Sequence, residues 1–340
     1  MAEDSEAAQA LAAQSTAMHG LVWGFQFDED GCATPLEGPA ALEALAQGEV
    51  WVWLHFDLVD NRARAALQSL AQIPQAARTL LLGDDNRQQL ETFGQVVAGV
   101  VSDFERSEEL DPRRMLPWRF CMMPHAFISA RRTPLHTMSN LHAAVKSGRR
   151  FPGVLQLFDG IVHGYASALA AVVHDMALSL DEVEDGLLDS RESGDYEALG
   201  TVRRRGVRLH RQALPLQALL RGMLEDRPDW FTEAAAGDCE RVARRVDSVV
   251  ADLVALQERS HALQDEFASR QAEITNRRLM LLSVISAVLL PPTLISGVFG
   301  MNVDGLPLKD GSPYGFLITM GMMAVSIVAL MLVLRKMKLV

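Results

Sequence analysis

The chain has 340 residues, of which 49% are hydrophobic and 22% charged, with a formal net charge of -11. The bulk composition is that of an ordinary globular protein, and its acidic balance excludes a nucleic-acid binder, because phosphate contacts need clustered Lys and Arg where this chain interleaves them with carboxylates. Cys32, Cys121 and Cys239 are scattered and form no C-x-x-C pair, so they offer neither a disulfide framework nor a thiolate zinc site and are expected to be reduced, structural thiols.

Residues 1–18 are rich in Ala, Gln, Glu and Ser without a usable apolar period and are expected to form a flexible tail. The opening Met-Ala-Glu-Asp-Ser-Glu is acidic where a secretory signal is basic, so the first ~270 residues are expected to stay in the cytoplasm.

From Leu21 to Arg132, strand-like runs at Leu21–Phe27, Trp51–Asp57, Gln95–Asp103, Arg119–Met123 and His125–Ala130 alternate with helix-like runs. Pro39–Gln47 is one such helix. Another is Arg62–Ala71, with apolar residues at helical spacing behind the cap pair Asp60-Asn61. Gly83-Asp84-Asp85-Asn86 marks a turn. The pattern predicts a small α/β domain over residues 19–150. It contains no phosphate loop, no G-x-G-x-x-G, no H-E-x-x-H and no nucleophile with a nearby base, so no enzyme is expected.

Strand signals stop at Pro152. Helical stretches follow from Gly153 to about Asp189, from Tyr196 to about Leu224, and from about Asp229 onward, making residues 151–275 a helical stalk. The first turn of this region carries eight carboxylates between Asp181 and Glu197, answered by Arg203, Arg204, Arg205, Arg208 and Arg211. The two clusters are expected on solvated faces of an antiparallel helix pair, partly neutralising each other. His163 and His174 are expected to be structural histidines.

The third helix has two faces. Val242, Val246, Val249, Leu253, Leu256, Leu263, Phe267 and Ile274 form an apolar stripe, interrupted at Ser260 and Arg270, that must pack on other helices. Nearly opposite, steps of three and four residues pick out Ser248, Ala251, Ala255, Glu258, Ala262, Asp265, Ser269, Ala272 and Asn276, then Leu279, Ser283, Ser286, Leu290, Thr293 and Gly297. Taken singly, Ser283, Ser286 and Thr293 read as glue between helices. Taken as one face, continuous with cation-attracting Glu258 and Asp265, they predict a ring of helices around a water-filled axis. Two spans cannot enclose an axis, so this reading requires a homo-oligomer. Leu279 and Leu290 would form constrictions that gate by dewetting. His261, one turn from Glu258 and Asp265, has a spacing that could offer zinc an imidazole and carboxylates, the plainer reading being a solvated stalk face.

Leu279–Phe299 and Gly315–Leu334 contain no charged residue, and each has the roughly 20 residues needed to cross a hydrocarbon core. They define a transmembrane hairpin over 276–340 with a loop at 300–314. Arg277 and Arg278 precede the first span and Arg335, Lys336 and Lys338 follow the second, while the loop holds only Lys309 against Asp304 and Asp310. Both termini are therefore expected in the cytoplasm. The expected fold class is an α+β membrane protein: a cytoplasmic α/β domain, long stalk helices and two C-terminal transmembrane helices.

The first span ends Leu290-Pro291-Pro292-Thr293-Leu294-Ile295-Ser296-Gly297-Val298-Phe299-Gly300-Met301-Asn302. A Gly-Met-Asn tripeptide that closes a penultimate apolar span, after a Pro-x-Thr and Gly pattern and before a terminal span, resembles the CorA family of divalent-cation channels. The resemblance implies a funnel-shaped homopentamer in the inner membrane. It also implies that Gly300, Met301 and Asn302 take the place of the family signature, with a ring of Asn302 amides meeting the ion through its hydration shell. Neutral oxygens suit a small divalent ion that sheds water reluctantly, and Gly300 would let the helix stop and the chain turn.

Magnesium-transporting members usually continue with an acidic loop containing Met-Pro-Glu-Leu, whereas this chain has Val303-Asp304-Gly305-Leu306-Pro307. That continuation is similar to the zinc-transporting branch, ZntB, as are the Trp51–Asp57 strand and the Arg-rich helix around 203–211. The resemblance thus implies zinc uptake, stimulated by an inward proton gradient, with cadmium, nickel or cobalt as further cargo and no resident cofactor. A magnesium channel of the same fold is the nearest alternative. A two-span membrane sensor without transport is the more distant one.

Overall fold

A computed structural model describes residues 20–188, 195–301 and 314–336. The chain divides into two compact units, Met1–Leu263 and Gln264–Val340.

The first unit is built on a seven-stranded sheet whose strands are β1 (Leu21–Phe27), β2 (Ala33–Leu36), β3 (Trp51–Asp57), β4 (Gln89–Phe93), β5 (Val96–Phe104), β6 (Met115–Met123) and β7 (Ala126–Arg131). Their spatial order is β2-β1-β3-β7-β6-β5-β4. Only β3 and β7 run parallel; every other neighbouring pair in the sheet is antiparallel.

Side chains alternate across each strand. Val52, Leu54 and Phe56 of β3, Cys121 of β6 and Ile128 of β7 pack on one face with helices α1 (Pro39–Gln47), α2 (Asn61–Ser69) and α3 (Gln75–Leu82). On the other face Phe120 and Phe127 lie 5.4 and 6.4 Å from Phe158. That residue belongs to α5 (Val154–Leu188), which also packs on α4 (His136–Lys146). Cover on both faces explains why every residue of β5 is buried.

The helix starts differ in where their caps come from. Asp60 accepts the Arg62 N–H at 2.9 Å and caps α2 locally, as the sequence predicts. At α4 the cap position is Leu135, whose side chain cannot accept. Its place is taken by Asp103 of β5, which accepts from the Thr137 N–H at 2.9 Å and the Thr137 hydroxyl at 2.8 Å.

Two further long helices are α6 (Asp195–Glu225) and α7 (Glu233–Phe299). The apolar stripe of α7 is buried from Val242 through Leu263, and Ser260 is buried within it. Gln217 and Arg221 of α6 donate to Asp247 of α7 at 2.8 and 2.6 Å. Asp181 and Glu184 pair across to Arg259 of α7, so these two carboxylates find a partner outside the 203–211 arginine run. Residues 189–194 of the acidic turn lie outside the described residues.

The second unit contains the C-terminal part of α7 and α8 (Gly315–Lys336). Cys32, Cys121 and Cys239 are free thiols; burial pushes the Cys121 and Cys239 thiols up to about 12, which keeps them protonated and unreactive.

Four strands and helices exceed the sequence expectation, β2, β4, α3 and α4, as does a 3-10 turn at Pro112–Arg114. In addition, β6 begins at Met115 and pairs through Pro117, opposite Ser102.

Candidate ion-conduction site

The residues expected to line a pore lie on the C-terminal part of α7. Asn276, Leu279, Ser283, Ser286, Leu290, Thr293 and Gly297 are all exposed in the single chain. So are Leu281, Leu282, Ile285, Leu289 and Leu294, which point elsewhere around the helix. None of the most apolar window of α7, nor of α8, is buried. An apolar surface of this extent is not left in water by soluble monomers, and it has the length a bilayer requires. Within one chain burial does not separate a pore face from a lipid face; the separation rests on chemistry, with Ser283, Ser286, Thr293 and Gly297 on one side and mostly Leu, Ile and Val on the others.

Two prolines alter the backbone of this segment. Pro291 and Pro292 lie inside α7 and carry no N–H, so the carbonyls of Ala287 and Val288 lose their helical donors. Thr293 donates its hydroxyl to the Leu289 carbonyl at 2.7 Å, which uses its only proton and leaves the oxygen lone pairs as acceptors. Three successive carbonyl positions are thereby altered next to Ser286 and Leu290. Sequence reasoning named the side chains and passed over these carbonyls, although the Pro-Pro pair signals them.

At the end of α7 the Gly300 N–H donates to the Ser296 carbonyl at 2.9 Å and the Met301 N–H to the Val298 carbonyl at 3.3 Å. Gly300 does not adopt the left-handed conformation expected of a glycine stop. What it supplies is room, because a Cβ there would lie 3.0 Å from the Ser296 oxygen. Met301 is exposed. Asn302 and the rest of the loop to residue 313 lie outside the described residues. In the last turn of α8, Arg335 and Lys336 complement the negative end of the helix.

Glu258, His261 and Asp265 are each exposed. His261 borders a hollow of about 30 Å³ with Met176, Val202, Leu256 and buried Ser260. Among the described residues no three His, Cys, Asp or Glu groups are gathered as a metal site needs, so a single chain does not build a closed metal cage at His261. His163 and His174 are exposed on α5.

A profile of the family described as CorA-like Mg2+ transporter protein matches residues 48–336. The chain is 27% identical over 304 residues to the divalent cation transporter CmaX of Pseudomonas aeruginosa, covering 87% of this chain and 90% of that protein. It is 22% identical over 306 residues to the zinc transport protein ZntB of Yersinia enterocolitica, covering 90% and 92%. The full-length CmaX structure superposes with a TM-score of 0.79 at 24% identity, over 94% of this chain and 98% of that one, which extends the likeness of fold to both units. With most of the α/β unit, a helix of 67 residues that ends at Phe299 just before Gly300-Met301 and a second apolar helix inside the matched region, the chain belongs to the CorA-like Mg2+ transporter family.

Proposed function

We propose that this protein is a homopentameric carrier of divalent metal ions in the inner membrane, that zinc uptake is its task, and that both termini lie in the cytoplasm. The observation that carries the reading is the face Ser283, Ser286, Thr293 and Gly297 on a helix without protein cover, leading to Gly300-Met301-Asn302. Five copies of that face would surround a wettable axis, with Leu279 and Leu290 as apolar constrictions.

At the mouth, Asn302 amides hydrogen-bond the ion's water shell, which avoids the dehydration that direct carboxylate ligation imposes on a small divalent cation. Glu258 and Asp265 raise the local concentration of cations. Zinc is favoured over magnesium by the Val303-Asp304-Gly305-Leu306-Pro307 loop and supported by the ZntB relatives; cadmium, nickel or cobalt would follow zinc through the same path.

The test is zinc uptake into liposomes containing the purified protein, with and without an inward proton gradient, alongside Asn302→Ala and a magnesium competition. Uptake that is lost in the variant and spared by magnesium supports the reading. Magnesium flux in place of zinc returns the chain to the parent activity of its family, and no cation flux from an assembled oligomer sinks the transport reading in favour of a sensor.

A further inference from the structure

Three guanidiniums meet at one corner of the first unit, beside the carboxyl ends of the parallel pair β3 and β7. Arg132 follows β7, Arg119 lies on β6 and Arg64 on α2. All three turn to the loop 83–88 between α3 and β4. Arg132 pairs with the Asp84 carboxylate, and Arg64 Nη2 lies 3.7 Å from the same oxygen. Arg119 Nη2 donates to the Asp85 carbonyl at 2.9 Å and to Asn86 Oδ1 at 3.0 Å. Arg64 is held in place by donating to the carbonyls of Leu58 and Leu82 at 3.2 and 3.1 Å.

The charges at this corner do not balance. Asp85, the loop's other carboxylate, is committed to Arg87 at 2.6 Å, so three cations face the carboxylate of Asp84, whose side chain is 81% exposed. Arg119 is only 1% exposed, and its Nε has no hydrogen-bond partner. Burial first, and then the neighbouring Arg132, hold its pKa below the usual arginine value. A buried guanidinium with an unused donor is costly unless an anion meets it. Forked guanidinium donors fit tetrahedral and planar oxyanions better than ammonium groups do.

We propose that this corner binds a small phosphate-bearing anion, and that Asp84 is a built-in occupant which the phosphate displaces. Phosphate fits better than a carboxylate because a carboxylate would only reproduce Asp84, whereas a dianion matches the two-charge excess the three arginines leave. The ligand is inorganic phosphate or the terminal phosphate of a nucleotide, two sources with one chemistry. The site lies wholly in the first unit and is independent of the ion path, so it stands whichever metal is carried.

Calorimetry on the detergent-purified full chain at constant ionic strength decides it, with inorganic phosphate, metal-free ATP and acetate as separate titrants. Binding of phosphate or ATP is expected, with acetate silent. Removing the competitor in Asp84→Asn should tighten it at least three-fold, and Arg132→Gln should weaken it at least ten-fold with circular dichroism unchanged. Phosphate matching ATP identifies the free anion as the ligand; ATP alone identifies a nucleotide. Because Arg119→Gln can unfold the sheet, the two surface variants carry the test. No heat from either phosphate source, equal binding of acetate, or affinities indifferent to both variants would overturn the proposal.

Discussion

Of the three helices among the described residues that are long and apolar enough to cross a membrane, α5 and α7 end in different surroundings. The best windows of α5 and α7 have mean hydropathies of 1.3 and 2.1. In α5 the buried residues Leu157, Ile161, Tyr165, Leu169, Val172, Met176 and Leu180 recur at steps of three and four, while His163, His174 and Asp175 occupy the exposed side. That is a stripe, and the first unit covers it. From Leu279 to Phe299 the apolar residues of α7 go all the way round, and none is buried. Average hydropathy therefore does not identify a span. The angular distribution does, since a stripe needs one partner surface and a ring needs a solvent of hydrocarbon.

The sharpest way to break this comparison is to remove a side chain from the stripe. Phe158→Ala deletes the ring that lies against Phe120 and Phe127 and should cost about 3–5 kcal/mol. The loss would be read from the urea midpoint by tryptophan fluorescence, which reports the first unit because all five tryptophans lie before residue 264. The matching change in the ring is Ile285→Arg, expected to cost ~3 kcal/mol of insertion. It should lower the carbonate-resistant membrane fraction while leaving the fluorescence midpoint in place. If Ile285→Arg instead unfolded the first unit, the division of labour between the two helices would be wrong.

A smaller effect concerns pH and touches only the covered side. Burial raises the Asp103 carboxyl from an ordinary 3.8 to about 6, against the opposing pull of its Thr137 and Phe104 hydrogen bonds. A carboxyl raised on folding favours the folded state at low pH, so on the order of 3 kcal/mol present below pH 4 is lost as the pH rises through 6. Asp159, also raised to about 6 by burial first and Asp238 second, moves the same way. The stability difference between the wild type and Asp103→Asn should therefore change steeply between pH 4 and 6 and stay level above 7; a flat difference would remove the desolvation argument. Smallest of all is Arg259→Gln. Its two ion pairs join α5 to α7, but the partners are about half exposed and screened, so the expected loss is ~0.5 kcal/mol and should vanish in high salt.

Elements that carry their own local instructions were legible in the sequence. β1 and β3 have the bounds their alternation predicts, and α2 starts at its Asp60 cap. The missed elements borrow what they need from elsewhere. β2 and β4 are the edge strands of the sheet, short and partly exposed, so the alternation that marks a buried strand is faint. α3 begins after Pro74 without a side-chain cap, and α4 takes its cap from Asp103. The proposed conduction face could be drawn from the sequence because its residues share one helix at regular steps. The carbonyls freed by Pro291 and Pro292 were harder to see, being consequences of proline at the fourth residue beyond. The corner of Arg64, Arg119 and Arg132 could not be read at all, since only the sheet order brings those three positions together.

The borrowed cap also sets an order of assembly. The start of α4 has no acceptor until Asp103 arrives from 34 residues upstream, so the helix cannot gain that stabilisation from its own neighbourhood, and closing the intervening loop costs chain entropy first. The β6–β7 hairpin fills most of that interval. Helix α4 is therefore an element whose formation follows the sheet rather than seeding it, with its first turn held back until the strands are in register.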